Sequence, residues 1–328
     1  MTGPMNKNMI VAVLATLALT IVPMVQAQQH KVYRIGVIHE GGPYNVAVEG
    51  LKDGLRALGL EPGKDVLLDV RDVQGNRAAV ADAARSLEQA KVDLLCSLST
   101  SVTIVARETT KGTPIVFAIG TDAAADGLVQ SLARPEGRLT GVQARSTDLT
   151  AKRLEILKDM LPNLHRAVTF YDAGNSVSRR AASLARDAAS KLKIELKEKP
   201  VASVAELRQA LNSIDPKDAD AFVYVSDAMV TSQSKLIIDA ARVKKLPTMF
   251  SEPSLVTQGA LVGYGVNRYD QGRLVAKYVH RVLTGTSPKD LPVESFDRYE
   301  LAINLQTARD LGITVPQAVL FRADRVIE

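Results

Sequence analysis

Short polar loops follow several β-branched runs of the sequence, and their side chains could bind a small charged ligand. They combine serine and threonine hydroxyls with acids and glycines where a strand gives way to a helix. Hydroxyls and helix N-terminal N–H groups bind a carboxylate, and an acid binds an ammonium group. The loops are HEGGPYN (39–45), SLSTS (97–101), GTDAA (120–124), YDAGNSVS (171–178), SDAMV (226–230) and SEPSL (251–255).

The same residue types also cap helices, and this simpler interpretation applies to each loop taken alone. Serine, threonine, asparagine and aspartate are the preferred residues at a helix N-terminus. In an open α/β sheet, however, ligands bind at the carboxyl ends of the strands. Because all of these loops follow predicted strands in two similar halves of the chain, they favour a shared ligand-binding cleft.

Catalytic and cofactor motifs are absent from the sequence. The histidines, at positions 30, 39, 165 and 280, show no metal-ligand spacing, and there is no GxSxG elbow, phosphate loop or GxGxxG after the first strand. We therefore predict no catalytic residue, no metal and no cofactor. One alternative is an acid/base pair formed by His39 and Glu40, although a ligand-facing or solvated role suits these residues better.

The elements that must position these loops alternate between strand and helix. RIGVI (34–38) reads as a strand, and the following helix has apolar residues at Val48, Leu51, Leu55 and Leu58, spaced by three and four. Strand and helix patterns recur up to a short helix predicted over 125–133 and a strand at LTGV (139–142). This alternation predicts a doubly wound parallel sheet with helices on both faces.

After LTGV the alternation restarts and predicts a second sheet of the same design. The last third of the chain has one long helix and a few extended runs, which are too few for a third domain. The sequence therefore indicates an α/β protein with two doubly wound, Rossmann-like lobes. A length of 328 residues fits two such units.

Composition narrows the possible ligands and partners. Aromatic residues make up 4% of the chain and tryptophan is missing, so a deep aromatic cage is not expected, although Tyr44 and Tyr171 could supply one or two ring faces. The net charge of +5 comes from basic residues scattered among acids, which indicates a solvated surface and no nucleic-acid binding. The single cysteine, Cys96, excludes an internal disulfide.

The N-terminal segment has the pattern of a secretory signal peptide. Lys7 precedes an apolar run from Met9 to Val25, and small residues end at Ala27, where we predict cleavage. The alternative is a membrane anchor, but the run is shorter than the roughly 20 residues that a span requires, and Pro23 interrupts it. Without a cysteine near the cleavage point, a lipoprotein anchor is not indicated. The mature protein is expected to be soluble and periplasmic.

Three segments, in this order and spacing, identify a resemblance to a known family. They are EGLKDGLRALG (49–59), GLVQSLARPEGRLTGV (127–142) and ELAINLQTARDLGI (300–313). The chain from Arg34 to about Ile313 resembles the ABC-transporter substrate-binding proteins that include tryptophan/tyrosine-type binding proteins.

The resemblance implies a type I periplasmic-binding-protein fold, with two lobes joined by three crossovers that form a hinge. The crossovers would follow LTGV, follow ALVGYG (260–265), and lie near GTSPKDLP (285–292). The implied organisation is a signal peptide over 1–27, a first lobe over 28–143 plus about 266–286, and a second lobe over 144–265 plus about 287–328.

The resemblance also implies a set of ligand-binding residues at the strand ends. First-lobe hydroxyls and N–H groups would bind a carboxylate, and Asp227 is the leading candidate for an ammonium partner. Tyr44 could stack on a ligand ring or lie in the loop partly exposed. Where the family usually has proline after Asp122 this chain has Ala123, and its usual Asn-Pro reads Asp172-Ala173. The implied residues are Ser99, Thr100, Ser101, Thr121, Asp122, Asn175, Ser176 and Asp227.

The function implied is a monomeric solute receptor for an ABC importer. It would capture a small ligand, an amino acid or a related carboxylate, by closing the two lobes without chemistry, and dock transiently on a permease in the inner membrane. Two alternatives remain open at this stage. One is a ligand-sensing subunit of a membrane receptor, and the other is an exported hydrolase with a two-domain cleft.

Overall fold

The computed structural model describes residues 31–215 and 217–328 as two α/β layers, each built on its own sheet. The predicted signal peptide, residues 1–27, lies outside the described residues. Within the described ranges, no helix combines the length and apolar character that a membrane crossing needs. The α/β class with two doubly wound lobes, predicted from the strand and helix alternation, is confirmed.

The sheet of the first lobe has the strand order β11-β5-β4-β3-β1-β2, and its strands run parallel. The register places Val37 of β1 beside Val70 of β2 and Cys96 of β3. Strands β3, β4 and β5 are buried along their whole length, as expected when helices cover both faces of a parallel sheet. The strands are β1 (Tyr33–His39), β2 (Val66–Asp72), β3 (Leu94–Leu98), β4 (Ile115–Ile119), β5 (Leu139–Gln143) and β11 (Glu294–Ser295).

The sheet of the second lobe has the order β13-β12-β10-β9-β8-β6-β7. Its strands are parallel except where β12 runs antiparallel to β10, with Tyr264 paired to Leu301. The strands are β6 (Arg166–Tyr171), β7 (Glu195–Pro200), β8 (Ala221–Val223), β9 (Thr248–Phe250), β10 (Val262–Val266), β12 (Tyr299–Asn304) and β13 (Arg325–Ile327).

Several helices begin at a side chain that caps their first turn. The Asn76 side chain accepts hydrogen bonds from the N–H groups of Ala78 and Ala79, and the Ser203 side chain accepts one from Glu206. The helices are α1 (Tyr44–Ala57), α2 (Arg77–Gln89), α3 (Thr100–Thr109), α4 (Thr150–Met160), α5 (Ser176–Lys191), α6 (Val204–Asn212), α7 (Ala228–Ser232), α8 (Ser234–Val243), α9 (Arg268–Leu283), α10 (Leu305–Asp310) and α11 (Gln317–Leu320).

Helices α1 and α9 pack closely on one face of the first sheet. A Cβ at Gly50 would lie 2.0 Å from the carbonyl oxygen of Tyr269, and one at Gly272 would lie 2.1 Å from that of Ala47. Glycine is therefore required at both positions for the two backbones to approach. This packing brings α9, which is distant in sequence, back to the first lobe and completes its core.

The chain crosses between the sheets after β5, after β10 and after β11. The sequence places the last crossover near 285–292 and the second lobe from about 287. In the structure, β11 still pairs with β5, so the crossing comes later, between Ser295 and Tyr299. The reason is that Leu291, Val293 and Phe296 bury their side chains in the first-lobe core.

The helix predicted over 125–133 does not form. The segment consists of turns, in which the Asp122 side chain accepts hydrogen bonds from the N–H groups of Ala124 and Ala125. Gly127 has a φ of 65°, which ends any helical run at that point. The buried residues Leu128 and Val129 pack on the first-lobe core from this turn.

Candidate ligand-binding site

A narrow cavity lies between the two lobes at the carboxyl ends of their strands. Its volume is about 30 Å³, measured as the space open to the centre of a water molecule. Ligand pockets commonly have about 300–1,000 Å³, so this cavity is small by comparison. The first lobe contributes Tyr44, Ser99, Thr100, Ser101, Gly120, Thr121 and Arg268, and the second contributes Ser146, Thr147, Val177, Tyr224, Ser226, Asp227, Ala228, Thr231 and Ser251.

The first-lobe hydroxyls form a connected group at the start of α3. Ser99 has a φ of 138°, a conformation that non-glycine residues rarely adopt, and it caps α3 by accepting a hydrogen bond from Val102 N–H. Its hydroxyl also donates to Glu40 Oε1 over 2.8 Å. Thr100 and Thr121 share a hydrogen bond of 2.9 Å between their hydroxyls. Ser99 therefore caps a helix and lines the cavity at the same time, and Thr100 and Thr121 line the cavity beside it.

The Tyr44 ring is buried at the cavity, where a guanidinium lies over it. The carbon of the Arg268 guanidinium is 4.6 Å from the ring centroid, a cation–π distance. Arg268 also forms two hydrogen bonds with Glu252, of 2.9 Å from Nε to Oε2 and 2.6 Å from Nη2 to Oε1. Both charged side chains are buried, so this ion pair joins the lobes next to the second crossover.

Sequence reasoning missed Arg268 and one further buried arginine. Arg153 in α4 is fully buried, and its Nε donates to the carbonyl oxygen of Tyr264 over 2.8 Å. Glu252 lies in the SEPSL loop and could have been found there. Arg153 and Arg268 occupy helical positions with no distinguishing pattern, so the signal for them was weak. We call Arg153, Glu252 and Arg268 the arginine cluster.

Two buried acids lie near the hydroxyls: Asp227 lines the cavity, and Glu40 lies behind Ser99. The carboxylate of Asp227 accepts hydrogen bonds from Val230 N–H at 2.8 Å and from Asp172 N–H at 2.7 Å. Burial raises the pKa of Asp227, against these two hydrogen bonds. Burial also raises the pKa of Glu40 to about 7, against the Ser99 hydrogen bond, and the charges of Asp227 and Asp72 raise it further. We call Glu40 and Asp227 the acid cluster.

Three of the predicted residues lie outside the cavity lining. Asp122 closes the turn after β4, and Ser176 begins α5 with its side chain exposed. Asn175 caps α5 by accepting from Val177 N–H, and its Nδ2 donates to Ser101 Oγ over 2.9 Å. Asn175 thus contacts the opposite lobe beside the cavity. The remaining predictions, Tyr44, Ser99, Thr100, Ser101, Thr121 and Asp227, all line it.

The lobes touch at the rim of the cleft. Besides the Asn175–Ser101 contact, Arg180 of the second lobe pairs with Asp126 of the first. Asp126 also accepts a hydrogen bond from the hydroxyl of Thr121, which lines the cavity. The ion pair at the rim is therefore connected to the cavity through two side chains.

His39 does not form an acid/base pair in the structure. The imidazole is buried, and its Nδ1 accepts a hydrogen bond from Gly41 N–H over 3.1 Å. Burial lowers the pKa of His39, with the Asp72 charge opposing. Its role is to hold the loop before α1. In residues 31–215 and 217–328, no group of three potential metal ligands comes together.

Comparison with known proteins assigns the chain to a family. Residues 34–327 match the model of the ABC transporter substrate binding protein family, so the chain belongs to that family. Its two lobes have the type I periplasmic-binding-protein fold, which confirms the resemblance drawn from the sequence motifs.

Three similar proteins illustrate the family, and the names of two of them state a ligand. A tyrosine-binding protein of Clostridioides difficile is 28% identical over 268 residues, which cover 81% of this chain and 76% of the relative. A conserved domain protein of Vibrio cholerae has 31% identity and a TM-score of 0.82 over 90% of this chain and 100% of its own. The ABC domain of Streptococcus pneumoniae, solved in complex with L-Trp, has 26% identity and a TM-score of 0.81 over the same shares, 90% and 100%.

Proposed function

We propose that the protein is an exported solute receptor of an ABC importer that binds an amino acid or a related small carboxylate between its lobes. The observation that carries this proposal is the cavity itself, which is lined from both lobes mainly by serine and threonine hydroxyls. Such a lining suits a small polar ligand that contacts both lobes at once. The tyrosine- and L-Trp-binding relatives support an amino acid as the ligand class.

The charged groups around the cavity match the two ends of an amino acid. A carboxylate has about four lone-pair sites, and the backbone contacts of Asp227 use two of them, so Asp227 can still accept from an ammonium group. The hydroxyls of Ser99, Thr100, Ser101 and Thr121 provide donors and acceptors between the charged ends. Two tyrosine rings, Tyr44 and Tyr224, line the same space and can contact an apolar side chain.

Ligand entry requires the lobes to separate. A cavity of about 30 Å³ has about a tenth or less of the volume of a typical ligand pocket. Opening breaks the Asn175–Ser101 and Arg180–Asp126 contacts at the rim. A ligand that touches both lobes binds the closed form better than the open one, and this difference shifts the equilibrium towards closure. The closed form is then the state that docks on a permease.

Calorimetric titration of the purified protein with the twenty amino acids and a set of small organic acids tests this proposal. We expect one chemical class, led by the aromatic amino acids, to bind and to raise the melting temperature. Saturation at 100 times Kd should stabilise the protein by about 2.7 kcal/mol. A protein that binds none of these compounds would contradict the proposed function.

A further inference from the structure

Arg153 has more hydrogen-bond donors than the protein uses. The side chain is fully buried in α4, and only its Nε has a partner, the carbonyl oxygen of Tyr264. Neither Nη1 nor Nη2 has a hydrogen-bond partner among the described residues. A buried guanidinium left with two free N–H₂ groups is costly, because it has lost water without gaining acceptors.

The Nη1 and Nη2 atoms of Arg153 lie close to residues that line the cavity. A Cβ built on Gly265 would be 1.9 Å from the carbonyl oxygen of Ser251 and 3.4 Å from Arg153 Nη2, so these two atoms are close neighbours across Gly265. Ser251 lines the cavity, as does Tyr224, whose hydroxyl is within electrostatic reach of Arg153. Arg153 therefore lies behind the lining of the cavity, next to Ser251, and is not itself one of the lining residues.

The arginine cluster carries an excess of positive charge and of donors. Both oxygens of Glu252 are bound by Arg268, and Oε1 also accepts from the Ser251 hydroxyl. Glu252 is thus paired with Arg268, and the nearby Arg153 has no ion pair of its own among the described residues. Gln271 accepts from Arg268 Nη1 through Oε1, which leaves its own Nε2 without a partner.

Arg153 keeps its charge at neutral pH. Burial lowers its pKa to about 10, with Tyr224 and Glu252 opposing the shift, and this value is still well above 7. The cluster therefore carries a net positive charge, and Arg153 contributes donor groups that have no acceptor among the described residues. A small anion would both balance the positive charge and accept the unused hydrogen bonds. Among anions, a carboxylate can accept two parallel hydrogen bonds from one guanidinium.

We propose that Arg153 is the anchor for the carboxylate of the bound ligand. The proposal rests on the proposed function and adds to it an orientation. The acid group of the ligand faces the arginine cluster, and its amine faces the acid cluster. The first-lobe hydroxyls, which the resemblance implies as partners of the carboxylate, instead contact the groups between the two ends in this orientation. A purely structural role for Arg153 would need only Nε and its bond to Tyr264.

The test compares an amino acid with its decarboxylated amine, in the wild-type protein and in variants. The probes are L-tyrosine with tyramine and L-tryptophan with tryptamine, measured by calorimetry. Arg153→Gln removes the charge and keeps a polar side chain, and Arg153→Lys keeps the charge without the two prongs. Arg208→Gln, an exposed arginine in α6, is the matched control.

In the wild-type protein and the control variant, we expect the amino acid to bind at least about 30-fold more tightly than the amine. Arg153→Gln should lower the affinity for the amino acid by that factor and leave the affinity for the amine unchanged, so that the preference disappears. Arg153→Lys should retain part of the preference. Far-ultraviolet circular dichroism and melting temperature establish that each variant folds.

Three results would overturn the assignment. The first is a wild-type protein that binds the amine as tightly as the amino acid, which needs no variant at all. The second is an Arg153→Gln variant with an undiminished preference. If Arg153→Gln does not fold, the third result is an Arg153→Lys variant whose affinity for the amino acid is unchanged. A wild-type protein that binds neither amino acids nor organic acids would instead overturn the proposed function, and the anchor with it.

Discussion

The two charged clusters at the cleft differ in how completely the protein satisfies them. In the acid cluster, Asp227 accepts two backbone N–H groups and Glu40 accepts the Ser99 hydroxyl, so each acid has a partner within the protein. In the arginine cluster, only one of the three guanidinium nitrogens of Arg153 has a partner among the described residues, and the Glu252 carboxylate is bound by Arg268. Both clusters are buried, and only one of them is short of partners.

This difference separates residues that build the cleft from residues that await a ligand. Strand-end acids and hydroxyls are needed as helix caps even when nothing is bound, so their presence is a weak sign of recognition. Unpaired buried donors have no such structural use, and they cost free energy until an acceptor arrives. The strongest evidence for ligand chemistry therefore lies behind the polar loops and not in them.

The largest effect on stability should come from breaking the ion pair in the arginine cluster. Arg268→Met leaves Glu252 buried and unpaired, and we expect a loss of about 3–5 kcal/mol in the free energy of unfolding, measured in urea. Arg85→Met, which removes an exposed ion pair with Asp82, should cost less than about 1 kcal/mol. Equal losses in the two variants would mean that the buried pair contributes no more than a surface pair.

A second test uses the pH dependence of the acid cluster. The pKa of Glu40 in the folded protein, about 7, is higher than its ordinary value of 4.5. The folded state therefore binds a proton that the unfolded state releases between these values, and this contribution to stability is present below pH 4.5 and lost as the pH rises through 7. The contribution is on the order of 3 kcal/mol.

Glu40→Gln should remove this pH dependence. Urea unfolding between pH 4.5 and 8 measures it, and we expect the wild-type curve to fall more steeply with pH than that of the variant. Glu49→Gln, at an exposed position of α1, is the control and should follow the wild type. Parallel curves for wild type and Glu40→Gln would show that the Glu40 carboxyl titrates normally.

Asp227→Asn separates the capping role of this residue from ligand recognition. One oxygen remains to accept from a backbone N–H, so we expect a stability loss of about 1 kcal/mol. If Asp227 also binds the ligand's ammonium group, the affinity for an amino acid should fall by about 10-fold or more. Calorimetry on the folded variant measures it, and an unchanged affinity would leave Asp227 as a cap alone.

The smallest effect should come from the rim. Arg180→Gln removes the ion pair with Asp126, and because Arg180 is half exposed and the buried Asp126 keeps its hydrogen bond from Thr121, we expect a loss of about 0.5–1 kcal/mol in closure. Ligand affinity should fall only a few-fold, without a change in the preference for the amino acid over its amine. A loss of affinity as large as that expected for Arg153→Gln would mean that the rim contacts, and not Arg153, contribute most of the binding energy of the ligand.

The sequence predicted the fold better than the site. Periodic apolar residues such as Val48, Leu51 and Leu55 reveal strands and helices, because burial imposes their spacing. The last crossover was placed too early, since Leu291 and Val293 follow a proline and glycine break yet still pack on the first lobe. Polar loops identified six residues of the cavity lining. Arg153 and Arg268 stayed hidden because an arginine within a helix looks like a solvated residue until its burial is known.

A crystal structure of the protein with the tightest-binding amino acid tests the central claim most directly. We expect the ligand between the lobes, with its carboxylate within hydrogen-bond distance of the Arg153 guanidinium and its ammonium group beside Asp227. The claim would be contradicted by a ligand whose carboxylate is bound elsewhere while Arg153 Nη1 and Nη2 remain without an acceptor.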